Sequence, residues 1–388
     1  MTCGTGKFAV AIGIVVACAS TARGGEWSVT PEFSWLADHN SNRALREDTP
    51  ASSSLGASID FTLARRSENS SFEVRPHYRL QRFEDHLYPN VDDKQLAALA
   101  RWTFESSALD LDAQAAEEST LTTELAETGL VRADSNRRTY ATGLGWRYDS
   151  SENRQFSLSV SYQDVDYTGA YEDILTGYRY ASANVGESFT LSPRVALSVN
   201  AFGSQLRNGV RDSTSNEHGV SLGMQYAWTE RTTMSASFGV SREVTGGDEK
   251  SGTTRDFSLE HKSELLVWSL SYSHRLQPYG TGVLAEHDSA QLQMVRALSP
   301  RFSALLRGGY SRNDDDDDGF GFTFDSRSYR FGESEIRWQV RETLGVSLST
   351  GYSNAKQDAT FFSRAEDASG WSVALRTRWA PRAYVIGH

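Results

Sequence analysis

The sequence predicts an all-β fold: a single transmembrane antiparallel β-barrel of about 18 strands, with 16 as the alternative count, occupying residues 23–388. Three observations carry this prediction. Apolar side chains recur at every second position in segment after segment of about 8 to 12 residues, the period of a strand with two unlike faces. Connections between segments alternate between short and long, as in barrels with tight periplasmic turns and extended outer loops. No apolar run of about 20 residues follows the N-terminus, which excludes a helical membrane protein.

Composition agrees. The 388 residues are 38% hydrophobic and 11% aromatic, with 31 glycines and 8 prolines. That is too aromatic for a disordered chain, and one all-β domain of this length is ordinary. The net charge of -11 argues against a nucleic-acid partner, since phosphate binding needs clustered cations.

At the N-terminus, Lys7 precedes an apolar run from Phe8 to Ala19, followed by Ser20, Thr21, Ala22 and Arg23. This is the layout of a signal peptide over 1–22, with cleavage after Ala19 or Ala22 equally suited. Val15-Val16-Ala17-Cys18 also resembles a lipobox that would make Cys18 a lipidated first residue. An integral body needs no second anchor, which weighs against lipidation. Cys3 and Cys18, the chain's 2 cysteines, both lie here, so a mature chain without Cys18 has no thiol to pair or to bind a metal.

The strands are predicted at 26–37, 54–64, 71–83, 95–105, 108–116, 139–149, 155–164, 178–189 and 195–203, then 218–228, 233–241, 255–262, 265–274, 288–297, 302–311, 328–340, 344–353 and 370–380. Trp27, Val29, Phe33 and Trp35 alternate with Ser28, Thr30, Glu32 and Ser34; Phe156, Leu158, Val160 and Tyr162 alternate with serines and Gln163; Val220, Leu222, Met224, Tyr226 and Trp228 continue the rule. Aromatics such as Trp146, Tyr148, Trp228, Trp338 and Trp379 sit at the ends of the apolar faces, where interfacial girdles belong. Those faces carry almost no charge, with Glu187 and Glu333 as exceptions. Both features favour a barrel over a soluble β-sandwich or solenoid. Pro76, in mid-segment, opposes it, because a closed barrel has no free edge to absorb a missing N–H. An even strand number puts both termini in the periplasm. The predicted location is therefore the outer membrane of a Gram-negative bacterium, facing lipid and lipopolysaccharide.

If the apolar face meets lipid, the alternate residues line the lumen. Most are small, as in Ser157, Ser159, Ser161, Asn184, Asn200, Ser235, Ser237, Ser271 and Ser349. Arg75, His77, Arg79, Arg101, Arg376 and Arg378 form a candidate basic ladder near the closing seam, with Asp110 and Asp112 close enough to neutralise it. The longest loop, 117–138, is third among the outer ones and carries Glu117, Glu118, Glu124 and Glu127 on a short helical pattern. It is a candidate constriction, with an ordinary solvated loop as the alternative. Asp314, Asp316, Asp318 and Asp325 match part of a calcium loop. Asp stands where the last ligand is usually Glu and no helices flank it, so Ca2+ is a weak candidate and no other cofactor is expected.

The chain resembles outer-membrane β-barrel porins encoded beside exopolysaccharide and exosortase genes. The resemblance rests on Ser119-Thr120-Leu121-Thr122-Thr123-Glu124-Leu125-Ala126-Glu127-Thr128-Gly129-Leu130, on Val160-Ser161-Tyr162-Gln163-Asp164-Val165-Asp166-Tyr167, and on the turns Leu191-Ser192-Pro193-Arg194 and Leu298-Ser299-Pro300-Arg301. It implies a pore that conducts a secreted exopolysaccharide with periplasmic polysaccharide-export partners, and it supplies no catalytic residues. A small-solute diffusion porin and a structural or adhesive surface barrel are the alternatives. The chain departs from the usual pattern at its end, where Trp379 is followed by nine further residues rather than closing the chain.

An enzymatic barrel is not expected. His39, His86 and His287 follow or precede Asp38, Asp85 and Asp288, but neighbours on an extended strand point apart. No Gly-x-Ser-x-Gly elbow is present.

Overall fold

The computed structural model describes residues 25–47, 49–84, 88–121, 123, 135–169, 175–209, 213–280, 282–314, 327–357 and 366–386. The signal segment at 1–22 lies outside them. The strands are β1 (Glu26–Asn40), β2 (Ser52–Arg66), β3 (Ser70–Phe83), β4 (Val91–Thr103), β5 (Ser107–Ser119), β6 (Ser135–Ser151), β7 (Arg154–Gly169), β8 (Tyr178–Ser192) and β9 (Val195–Asn208). They continue as β10 (Ser213–Thr229), β11 (Thr232–Thr245), β12 (Asp248–Lys262), β13 (Leu266–Pro278), β14 (Leu284–Ala297), β15 (Phe302–Asp314), β16 (Arg327–Arg341), β17 (Leu344–Gln357), β18 (Glu366–Trp379) and the short β19 (Tyr384–Ile386). Each strand from β1 to β18 pairs antiparallel with the next, and β18 pairs with β1 from Phe33↔Trp379 to Asn40↔Ser372, so the sheet closes. Beyond Trp379 the chain rejoins the seam, because β19 pairs Tyr384 with Val29 and Ile386 with Trp27.

Register fixes the two faces. Ser34, Ser58, Arg79 and Asp93 lie on one ladder row and point inward; Val199, Leu222 and Phe238 lie on another and point outward. Leu222 is 66% exposed and Trp228 61%, exposure that only lipid makes tolerable when it forms a continuous band. The path from Val220 to Trp228 spans about 26 Å along the strand and, at the usual tilt, about 20 Å of height, close to the ~25 Å apolar band of outer-membrane barrels. Aromatic pairs mark its turn-side edge, with Phe33 stacked on Trp379 at 5.3 Å, Trp146 edge-on to Phe156 at 5.8 Å and Phe302 stacked on Trp338 at 6.0 Å. This closed barrel is an outer-membrane protein of a Gram-negative bacterium. Leu222→Arg places a charge near mid-membrane and should cost about 2–4 kcal/mol of folding free energy into lipid vesicles. Ser221→Arg, one residue away and facing water, should cost little, and equal losses in denaturant titrations would contradict the facing.

Several expectations are corrected. Pro76 stands in the middle of β3 without breaking the barrel. Its ladder to β2 lapses between Asp60↔His77 and Leu63↔Val74 and resumes in the same register, while Pro76↔Leu96 is kept on the β4 side. The loss is therefore confined to a local gap on one side. Glu187 points outward between Phe156 and Val199, but Glu333 does not; it lies on the inner face opposite Arg307 and Gly351. In β16 the inner face carries Tyr329 and Phe331 as well as charges, so apolar parity there misleads. Outer connections are shorter than the sequence suggests, two residues at 246–247 and four at 209–212, because β10 and β12 start five and seven residues before their apolar alternation. Glu117 and Glu118 accordingly belong to β5 rather than to a loop.

Candidate functional site: the lumen and its mouth

The inner wall is not uniform. From β7 to β9 it is largely hydroxyl and amide, without an ion among the described residues, and facing serines bond to one another across ladders here and further round, as in Ser161–Ser182 at 2.7 Å, Ser235–Ser258 at 2.7 Å and Ser273–Ser289 at 2.8 Å. Glu217, Glu243, Lys250, Asp256 and Arg275 bring charge to the inner face of β10–β13, and from β16 through the seam to β6 the wall is dense in ions. On the seam, strands β1–β3 and β16–β18 enclose a niche of about 380 Å³ lined by Glu32, Asp60, His77, Arg79, Glu335 and Arg376, among others.

All six basic residues expected on the ladder lie on the inner face, and most have a carboxylate beside them. Arg75 pairs with Glu73, Arg79 with Asp93 and Arg101 with Asp110. His77 Nδ1 is 2.5 Å from Asp60 Oδ1, and Arg378 donates to Glu32 Oε2 at 2.6 Å. Arg376 makes no ion pair among the described residues and shares the niche with Glu335, which accepts from Arg337 at 2.8 Å. The wall is thus a lattice of opposite charges rather than a bare basic stripe. Its acidic members include Glu73, Asp93, Asp60 and Glu32; the strand alternation puts Glu73, Asp60 and Glu32 on the polar face, while Asp93 lies outside the segment the pattern marks. They stand across or along the ladder at positions fixed only by register.

Asp110 serves two cations, since Arg147 also reaches it, at 3.5 Å. The Asp112 carboxylate lies over Gly143, in the space that a Cβ there would fill. Asp110→Asn should leave Arg101 and Arg147 uncompensated and shift the reversal potential in a salt gradient toward anions. The shift should shrink as ionic strength rises and the Debye length falls below about 8 Å. An unchanged reversal potential would mean that these charges lie outside the conducting path.

At the loop side, two outer connections fold inward. In the first, 41–51, Leu45 is 1% exposed and packs with Ala355, Ala368 and Tyr329, while Ala44 packs with Tyr88, Val91 and Leu121. One short segment thereby ties the β16–β18 wall to the β3–β5 side. Asp38, at the end of β1, anchors it through Arg43, Ser54 and Gln81. In the seventh, 279–283, the Gly280 carbonyl accepts from Thr176 N at 2.8 Å, and the Gly282 carbonyl accepts from Asn208 Nδ2 at 3.1 Å. Leu284 completes an apolar cluster with Val165, Tyr167, Tyr178 and Leu206. These partners belong to β7–β9 and the chain just before β8, so the loop reaches past β10–β12 to the far wall. Gly282 has φ +75°, and Asn208 lies where a Cβ would project, so a larger residue is strained there.

As a result, Arg137 of β6, Tyr178 of β8 and Tyr329 of β16 line one cavity of about 400 Å³ with Tyr279 and His287. Residues from nearly opposite walls share it, which makes this level the narrow part of the described lumen. Of the third-loop carboxylates, Glu117 turns outward and pairs with Arg138 at 3.2 Å, while Glu118 lies opposite Arg137 on the inner face. Glu124 and Glu127 lie outside the described residues.

Other site expectations fall as follows. Asp314 pairs with Arg312 at 2.9 Å, and Asp316, Asp318 and Asp325 lie outside the described residues, as do Asp85 and His86. Among the described residues no group of three metal-ligating side chains converges. The remaining Asp-His neighbours do not meet: His39 bonds Ser53 at 3.0 Å and His287 bonds Asn313 at 2.6 Å, while Asp288 takes Tyr272 and His274. At the periplasmic turn after β16, Arg382 hydrogen-bonds Glu342 at 2.8 Å and holds its carboxyl below the usual range.

No protein-family model matches the chain, and no curated protein does. Solved structures with a similar outline include OccAB3 of Acinetobacter baumannii, at 10% identity and a TM-score of 0.49, covering 92% of this chain and 99% of that one. OccAB2 of the same organism has 12% identity and a TM-score of 0.48, covering 92% and 98%. The outer membrane protein OpdK of Pseudomonas aeruginosa has 11% identity and a TM-score of 0.46, covering 92% and 99%.

Proposed function

We propose that the protein is a passive outer-membrane pore for small polar solutes. The observation that carries the reading is the narrow level of the lumen, where inward-folded loops bring residues of β6–β8 and β13–β16 around one cavity. A closed barrel of this size otherwise encloses a water-filled channel, and the loops reduce it to a width suited to single small molecules. The paired charges of the seam niche present donors and acceptors together, which suits uncharged or zwitterionic solutes better than a strongly charged one. Purified protein in liposomes should admit uncharged sugars at rates that fall steeply from pentose to trisaccharide. Equal rates across that range, or no swelling with the smallest sugar, would overturn the reading.

The second reading is passage of a secreted exopolysaccharide in company with periplasmic export proteins. The hydroxyl-rich wall from β7 to β9 favours it, since serine and asparagine can exchange hydrogen bonds with a moving sugar chain without holding it. It requires the 41–51 and 279–283 segments to swing aside. Deleting the gene should then abolish surface polysaccharide while leaving uptake of small sugars unchanged.

A further inference from the structure

On the outside of the barrel, the ladder between β12 and β13 stops early. It runs from Lys262↔Val267 only to Arg255↔His274, whereas the flanking ladders continue to Thr245↔Asp248 and Pro278↔Leu284. Residues 248–254 and 275–278 are therefore not joined, and a wedge opens in the loop-side half of the wall. A groove of about 1020 Å³ fills it, extending over the outer faces of β10 and β11. Across its width the Lys250 ammonium stands 3.8 Å from the Glu286 carboxylate, and at its base Arg275 pairs with Asp256.

The groove is basic above and apolar below. His218, Arg242, Arg255 and His274 line it together with Val220 and Val240. His218 lies opposite Arg242 and Arg255 opposite His274 on their ladders, so the four cationic or protonatable groups form two adjacent pairs. Several cations on the outer rim are matched, as in Arg138–Glu117, Arg179–Asp164 and Lys356–Asp367, while Arg207 bonds Gln205 and Arg330 lies over the Tyr310 ring. Here Arg242 has Glu249 and His274 has Asp288, but Arg255 has no carboxylate partner among the described residues. A guanidinium facing lipid costs several kcal/mol near mid-membrane, unless it reaches the head-group level or meets an anion; the wedge lets Arg255 do both.

We infer that this groove is a binding site for the phosphate of an outer-leaflet glycolipid, a phosphorylated lipid A, whose acyl chains lie along Val220, Leu222 and Val240 while the phosphate sits between Arg242 and Arg255. The depth decides the occupant. Val220 and Leu222 belong to the apolar band, His218 and Arg242 stand on its loop side, and Arg255, on the ladder row of Leu222 and Phe238, has only the wedge through which to reach that level, an arrangement that matches a lipid with an anionic head in the outer leaflet. Arginine suits the task because its planar fork bonds phosphate in two places. The inference is independent of which solute the lumen carries and needs only the outer-membrane placement.

The test is native mass spectrometry of the purified full barrel titrated with lipid A. Wild type should hold one lipid A per barrel, and enzymatically dephosphorylated lipid A should bind at least about tenfold more weakly, the effect of losing ~1.4 kcal/mol. Arg242→Gln with Arg255→Gln should reproduce that loss, with heat-modifiable migration confirming the fold, while Arg138→Gln, on the matched rim, should not. Inorganic phosphate should not displace the lipid, which separates a lipid site from a simple anion site. If phosphorylated and dephosphorylated lipids bind wild type equally, or phosphatidylcholine binds as well, the site is refuted. That comparison needs no variant, so it decides the matter even if the double variant fails to fold.

Discussion

Single-channel conductance should rise several-fold when the 279–283 connection is released from the far wall. The variant is Gly282→Val with Leu284→Ser. Valine at φ +75° carries a left-handed backbone cost of roughly 1–2 kcal/mol and meets the Asn208 amide. Serine removes the apolar anchor from the Val165, Tyr167, Tyr178 and Leu206 cluster. Gly282 lies outside the ladders and Leu284 is only the loop-side end pair of the β13–β14 ladder, so the body of the barrel wall is untouched and heat-modifiable migration should persist. Planar-bilayer recordings give the answer. A conductance equal to that of wild type would mean that the segment does not lie in the conducting path, and the narrow level would have to be sought in the first loop instead.

The second large effect concerns selectivity. Arg75, Arg79 and Arg376 face the lumen, and the first two are matched by Glu73 and Asp93. Replacing the three by Gln therefore does more than erase positive charge, because it uncovers carboxylates that stay in place. Ladder spacings of about 4.8 Å keep these groups within a Debye length of roughly 8 Å of one another at physiological salt, so a permeating ion senses the whole change. The triple variant should become markedly cation-selective, with the reversal potential in a salt gradient moving opposite to that of Asp110→Asn. Barrel abundance must be checked alongside, because Asp93 is buried and loses its ion pair once Arg79 is gone, while its hydrogen bond from Ser119 N at 2.8 Å remains. Reversal potentials that move in the same direction for both variants would contradict the charge lattice.

The barrel itself was legible because lipid enforces a strict alternation wherever a strand crosses it. Each of the 18 apolar segments corresponds to one of β1–β18. What the alternation cannot report is the part of a strand beyond the lipid band. In β12, residues 248–254 face solvent or the wedge, and neither face needs to be apolar, so the strand is invisible there until register is known. The ion pairs were half legible. Arg101 and Asp110 flank the tight turn at 104–106, and a hairpin register alone would have joined them; Arg378 and Glu32 meet only because the barrel closes. Inward loops left a fainter signal. Leu45 sits between arginines and Leu284 follows a glycine-rich run, and a lone leucine in a polar outer loop marks a segment that needs something to cover it. Loop length pointed instead to 117–138, because length measures the chain available and not where it packs.

The central claim is that this barrel encloses an open, narrowed path across the outer membrane, and planar-bilayer recording of the purified, heat-modifiable protein tests it most directly. Discrete, reproducible current steps that scale with bath conductivity are the predicted result. A correctly folded barrel that inserts and passes no current above the bare-lipid baseline would contradict it.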